Sequence, residues 1–230
     1  DLGVMIEGQE GVGWDLWRRF VTSVEELGFE SLWRSDHLFS LSGARTQDAL
    51  DAYVAFAIAA EATKRVRFGP LVSPVTFRHP SILARMCAQL DVLSGGRFVV
   101  GVGAGWNVPE HEAFGIPFPP LVERMDRLDE SIRVMKALWA DEPATFDGKY
   151  YRLKEAQSYP KPIQSPLPIM VGGMGERRTL RIVAELADEW NALGVDVEGY
   201  RRKREVLERH CRDVGRDPSA IRRSQMSGFI

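Results

Sequence analysis

The stretch "SLWRSDHLFS" (31–40) sets a carboxylate, Asp36, beside an imidazole, His37, where an apolar strand runs out. The pair suits proton transfer, because an imidazole exchanges its proton near neutral pH and a carboxylate beside it can hold charge. It equally suits a local cap, since Asp readily accepts from nearby backbone N–H groups. A second set suits phosphate. In "VGGMGERRTL" (171–180), Gly172, Gly173, Met174 and Gly175 lead from a strand into a helix, so free N–H groups and the helix dipole converge on one spot. Arg177 and Arg178 add positive charge one turn in; the other reading is a tight βα turn. A third set is "GVGAGW" (101–106), where Gly103 and Gly105 let the backbone approach a flat group, or pack densely inside a sheet.

Further polar residues fall at the same recurring positions. Glu7 and Gln9 follow the first strand, Ser73 and Thr76 the third, and Ala104, Gly105, Trp106 and Asn107 the fourth. Leu193 and Gly194 follow the sixth. Glu110 and His111 in "NVPEHEAFG" are placed on a loop over the mouth of the site, as substrate contacts or as solvated loop residues. His79 before Pro80 reads as the residue that opens a helix. The chain has four histidines and no HxH pair, so no metal site is expected.

Alternating strands and helices must position these residues. Strands are expected at 2–6, 31–33, 66–74, 97–105, 167–173, 189–194 and 219–230. Helices are expected at 13–28, 48–64, 80–96, 121–140, 175–187 and about 196–213. Repeated β-α units of this length imply parallel strands, and residues at their carboxyl ends share one face. The first βα turn, "MIEGQEGVG", lacks GxGxxG, which argues against a dinucleotide-binding open sheet. The expected fold is therefore α/β, a TIM-type (β/α)₈ barrel lacking the last βα unit or units. A single domain over 1–230 is expected, with an insertion at about 141–166 whose Asp147-Gly148 pair forms a hairpin turn.

Composition narrows the class. The 230 residues are 44% hydrophobic and 27% charged with a net charge of -2, which gives no general attraction to nucleic acid or an anionic membrane. Cys87 and Cys211 form neither a CxxC nor a disulfide framework. No apolar run approaches the roughly 20 residues of a membrane span, and no signal pattern opens the chain. The expectation is a soluble cytoplasmic protein acting on a small molecule.

Together the motifs resemble the luciferase-like monooxygenase superfamily, closest to its branch using coenzyme F420, an 8-hydroxy-5-deazaflavin. The segments carrying the likeness are "GFESLWRSDHLF", "FRHP", "LDVLSGGR", "GVGAGW", "FDGKYY", "PIMVGG" and "GRDP", in family order along almost the whole chain. The resemblance implies a bacterial-luciferase-like barrel with a deazaflavin, or alternatively FMN, in its mouth. A non-prolyl cis peptide is implied within Pro70–Ser73, beneath the ring. Asp36 would touch the ring system, and His37 would bond or donate a proton near the reacting carbon. Ser73, Ala104, Gly105 and Asn107 would contact the ring. The phosphate would lie on Gly172, Gly173, Met174 and Gly175.

The family's sugar-phosphate dehydrogenases carry a glutamate base directly after the strand-four glycine, where this chain has Trp106. That residue suggests an apolar or aromatic wall, with Glu110 and His111 as further substrate contacts. The implied activity is hydride transfer between the deazaflavin and a small organic substrate, with a homodimer as the common assembly. The rivals are an FMN-dependent monooxygenase using oxygen and a non-catalytic flavin-binding paralogue.

Overall fold

A computed structural model describes residues 1–140 and 142–227. Parallel strands alternate with helices in chain order, as the β-α rhythm requires. The first is β1 (Gly3–Ile6), followed by α1 (Trp14–Glu26), β2 (Ser31–Arg34) and α2 (Ala52–Ala62). Next come β3 (Arg67–Pro70), β4 (Ser73–Pro74), α3 (Pro80–Ser94) and β5 (Val100–Gly103). After α4 (Val108–Phe114) and α5 (Leu121–Trp139), a hairpin of β6 (Ala144–Asp147) and β7 (Arg152–Ala156) interrupts the series. It resumes with β8 (Ile169–Gly172), α6 (Thr179–Leu186), β9 (Glu189–Leu193), α7 (Val197–Asp213) and β10 (Arg222–Met226).

Pairing is parallel from β1 to β2 to β3, and again from β4 through β5, β8 and β9 to β10. An isolated parallel bridge, Phe68 to Phe98, links the two runs. The arrangement is that of a TIM-type barrel, with successive strands side by side in chain order. The expected third strand, 66–74, is divided. Its first half pairs with β2, its second with β5, and a cis peptide joins Leu71 to Val72 between them. That bond falls inside the window Pro70–Ser73. The last expected strand spans Arg222–Met226, and its final positions, 228–230, lie outside the described residues, as does 141.

The helix limits follow local chemistry. Helix α2 starts at Ala52 rather than 48, because the Asp51 carboxylate accepts from the N–H groups of Tyr53 and Val54. Gly28 and Gly95, at φ +83° and +70°, end α1 and α3 in the left-handed region. The hairpin tip is tied to α5: Glu130 accepts from the amides of Lys149, Tyr150 and Tyr151 at 2.8–3.1 Å.

The core lies between the helices and the outer face of the strands. Phe56 of α2 meets Phe68 and Phe98 with ring centroids 6.0 and 5.7 Å apart, and Trp17 of α1 closes on the same ring at 6.5 Å. All four are fully buried, each stabilising the fold by roughly 1.5–3 kcal/mol. The indole N–H of Trp17 donates to the Ala55 carbonyl at 2.8 Å, so its one polar atom is satisfied.

Candidate functional site

The carboxyl ends of the strands surround a cavity of about 600 Å³, within the usual range for small-molecule sites. Its floor is Val72, just past the cis peptide. Gly103 and Gly172 flank it because nothing larger fits: a Cβ on either would stand 2.8 or 2.9 Å from the Val72 methyl groups. Two glycines and one branched apolar side chain thus pack closely together on the cavity lining.

His37 and Glu110 stand on one wall. The imidazole Nδ1 lies 2.8 Å from Glu110 Oε2, and Glu110 Oε1 accepts from the Leu38 N–H at 2.6 Å. The Trp106 indole meets the His37 ring edge-on at 5.7 Å. Its own face is 68% exposed at the rim. Behind this wall His111 is buried, with Nδ1 2.6 Å from the Asn107 carbonyl and Nε2 2.8 Å from Thr76 Oγ1. A carbonyl only accepts, so Nδ1 carries the proton and the threonine hydroxyl donates to Nε2. The "NVPEHEAFG" segment is not the loop expected but helix α4, with Pro109 in its first turn and Gly115 at its end. The apolar sides of Phe77 and Phe118 pack on His111, which holds that helix down.

Carboxylates from the first βα loop also line the cavity. Glu10 receives the Ser40 hydroxyl at 2.6 Å, the Ser42 hydroxyl at 2.7 Å and the Leu41 N–H at 2.8 Å. The Ser40 hydroxyl is the chief cause of its pKa falling from 4.5 to about 2, against a smaller upward push from burial. Glu7 accepts from the Gln9 amide at 2.9 Å. Among the described lining residues there are three glutamates, Glu7, Glu10 and Glu110, and no lysine or arginine.

Of the residues singled out from sequence, the cavity is lined by Glu7, Gln9, His37, Gly103, Ala104, Gly105, Trp106, Asn107, Glu110, His111, Gly172, Gly173 and Leu193. Asp36 and Ser73 are not on that surface. Asp36 points the other way, into a buried network: Ser73 Oγ donates to it at 2.6 Å, as does Arg78 Nη1 at 2.6 Å. Tyr53 Oη meets Ser73 at 2.9 Å, and Arg78 also bridges to Asp51 at 2.9 Å. Burial alone would lower the Arg78 pKa, but Asp36 and its neighbours raise it. An arginine forty-two positions away draws the aspartate inward, and Asp36 is not among the residues that line the cavity.

The glycine loop differs too. Helix α6 begins at Thr179, not Gly175, after a turn over Glu176, Arg177 and Arg178. Gly173 donates its N–H to the Asn191 carbonyl at 3.2 Å, so that amide extends the sheet rather than facing a ligand. Met174 packs on the core, and the Gly175 carbonyl accepts from the Leu180 N–H at 3.0 Å; neither lines the cavity. The guanidinium of Arg178 binds Asp126 and the Val122 carbonyl, away from the cavity, and Arg177 lines the outer cleft beside it.

Sequence reasoning missed Arg78, Tyr53, Thr179 and Asn191, while Val72 lies inside the expected window Pro70–Ser73. Of the four, only Arg78 had a local signal, standing one residue before His79 in "FRHP". Groups of His, Cys, Asp and Glu able to hold a metal are absent among the described residues.

A family model described as "Luciferase-like monooxygenase" matches residues 4–230. An F420-dependent glucose-6-phosphate dehydrogenase of Microbacterium testaceum is 37% identical over 188 residues, 80% of this chain and 54% of that protein. The corresponding protein of Kineococcus radiotolerans is 39% identical over 157 residues, 68% of this chain and 46% of its own. Among solved structures, an F420-dependent secondary alcohol dehydrogenase in complex with an F420-acetone adduct superposes with TM-score 0.84 at 27% identity, covering 97% of this chain and 66% of that one. The coenzyme F420 dependent tetrahydromethanopterin reductase from Methanopyrus kandleri gives TM-score 0.85 at 22% identity, covering 99% and 65%, a likeness of fold. The chain thus spans about half the length of these curated relatives.

Proposed function

The chain belongs to the luciferase-like monooxygenase family, and from that premise we propose that it is an oxidoreductase that moves a hydride between coenzyme F420 and a small organic substrate. The observation that carries the reading is the close packing of Val72 with Gly103 and Gly172 on the lining of the cavity that His37 also lines. The residues present fit a deazaflavin. The floor accepts a planar ring, and Asn107, Thr179 and Asn191 offer polar side chains along the lining. When bound, the coenzyme supplies a two-electron hydride acceptor or donor.

The protein's own share is orientation and proton handling. The floor and the Trp106 indole hold ring and substrate face to face and exclude water. His37 Nε2 takes the proton of a substrate hydroxyl as its carbon gives up hydride and the C=O bond forms, and returns it in the reverse direction. The named relatives act, by name, on a sugar phosphate or a secondary alcohol. The exposed Trp106 indole on the cavity lining favours apolar surface. It supports an alcohol or ketone with an apolar body as the substrate. We extend the reading to a cytoplasmic homodimer; exposed Val54, Ile82 and Leu93 on α2 and α3 support association, and light scattering tests it.

The test is fluorescence titration of the full-length protein with F420 and with FMN, then turnover of neutral secondary alcohols, ketones and glucose 6-phosphate. Binding of F420 at least tenfold tighter than FMN, with turnover of an apolar alcohol or ketone, is expected. Preference for FMN moves the activity to oxygen-dependent chemistry, and binding without turnover of any acceptor moves it to a flavin carrier.

A further inference from the structure

We infer that Glu110 is a positioning residue that keeps the proton of His37 on Nδ1 and leaves Nε2 as the one ring atom that exchanges protons with the cavity. The inference deepens the reading above and rests on it for the identity of the substrate proton. Its structural basis stands alone.

Glu110 is 0% exposed. A carboxylate taken fully out of water is costly unless hydrogen-bonded or paired. No lysine or arginine reaches it among the described residues, and the side chain at its Oε2 is the imidazole of His37. Both oxygens are used: Oε2 faces His37 Nδ1 at 2.8 Å and Oε1 the Leu38 N–H at 2.6 Å. An ionised carboxylate only accepts, so Nδ1 must donate. The ring is thereby held in one tautomer and one orientation, with Nε2 directed away from Glu110. Among the described residues Nε2 has no hydrogen-bond partner, and His37 lines the cavity.

The geometry of α4 makes the clamp rigid. Glu110 and His111 are adjacent on this short helix, and His111 is tied through Thr76 to the segment after β4 and through Asn107 to the helix start. The carboxylate is thus held from behind while it holds the imidazole in front. An acceptor needed only for the Leu38 amide would not have to be charged, since a glutamine oxygen does the same. A carboxylate is required where two donors converge, as Leu38 N–H and His37 Nδ1–H do here.

Glu110→Gln tests this with little change of shape. The amide has one accepting atom, so either Leu38 or His37 loses its acceptor. In the full-length protein labelled with ¹⁵N, ring spectra with His37→Ala for assignment should show His37 protonated at Nδ1 in the wild type, and a shift toward Nε2–H in Glu110→Gln. Wild-type protein already carrying the Nε2–H tautomer, or an unchanged His37 spectrum in Glu110→Gln, overturns the inference. This readout needs no coenzyme, so it stands even where F420 turnover fails. With turnover in hand, Glu110→Gln should lower kcat about 100-fold with KM little changed, and add no further loss in a His37→Ala background. Equal losses in both backgrounds would leave Glu110 a merely structural acceptor.

Discussion

The Arg78 guanidinium crosses from the start of α3 to the Asp36 carboxylate at the end of β2, Nη1 to Oδ2 at 2.6 Å, with the aspartate side chain only 2% exposed. Two βα units are joined by this pair directly behind the cavity wall. Arg78 also lies over the Tyr53 ring at 4.6 Å, so the junction is packed as well as charged.

Removing one member strands the other in a dry environment. Asp36→Ala should therefore cost about 3–5 kcal/mol of stability, read from urea unfolding. Selective loss of turnover in a protein of wild-type stability would show that Asp36 acts on the ligand after all. His37→Ala, one residue on and half-buried, should lose turnover while keeping most of its stability.

The cavity floor makes a graded prediction. Gly172→Ala puts a methyl group 2.9 Å from Val72 Cγ1, which a side-chain shift can relieve. We expect a loss of about 1–2 kcal/mol in stability and a larger weakening of F420 binding, seen by fluorescence titration. Gly101→Ala puts its methyl 1.9 Å from the Pro70 carbonyl oxygen, which is backbone. That variant should lose at least about 3 kcal/mol or fail to fold.

Glu10 links the first βα loop to the second through Ser40, Leu41 and Ser42, and its folded pKa of about 2 lies below the ordinary 4.5. A depressed carboxylate stabilises fully above the unfolded value and loses that contribution as pH falls through the folded one. Amide exchange at Leu41 and Ser42 should be slow and pH-independent, after correction for intrinsic rates, above about pH 5. It should lose protection as the pH drops toward 2. Glu10→Gln should show the weaker protection at every pH, and identical profiles would remove the latch.

Trp106 offers a test of substrate class. Trp106→Ala should raise KM for an apolar alcohol or ketone roughly tenfold, the value of about 1.4 kcal/mol of lost contact, with stability changed by no more than about 0.5 kcal/mol because the ring is mostly exposed. An unchanged KM would place the substrate elsewhere in the cavity.

Sequence by itself determined the order of β-α units, the presence of a hairpin (its turn lies at 148–151 rather than Asp147-Gly148), the barrel and the face on which its site must lie. These follow from local signals, namely apolar periodicity, glycine stops and the rule that parallel strands end together. It also brought His37, Trp106, Asn107 and the Gly103 and Gly172 positions to one place, because each ends a strand or follows one within a few residues. Tertiary structure alone decided the rest. Asp36 and His37 are neighbours in the chain, yet a buried arginine pulls the first backward and a buried glutamate orients the second forward. The partners stand forty-two and seventy-three positions away. Gly173 looked free to bind a ligand until the Asn191 carbonyl took its N–H. Which element reaches a polar group is set by packing between distant units, and hydrogen-bond demand in a dry interior then decides where that group points.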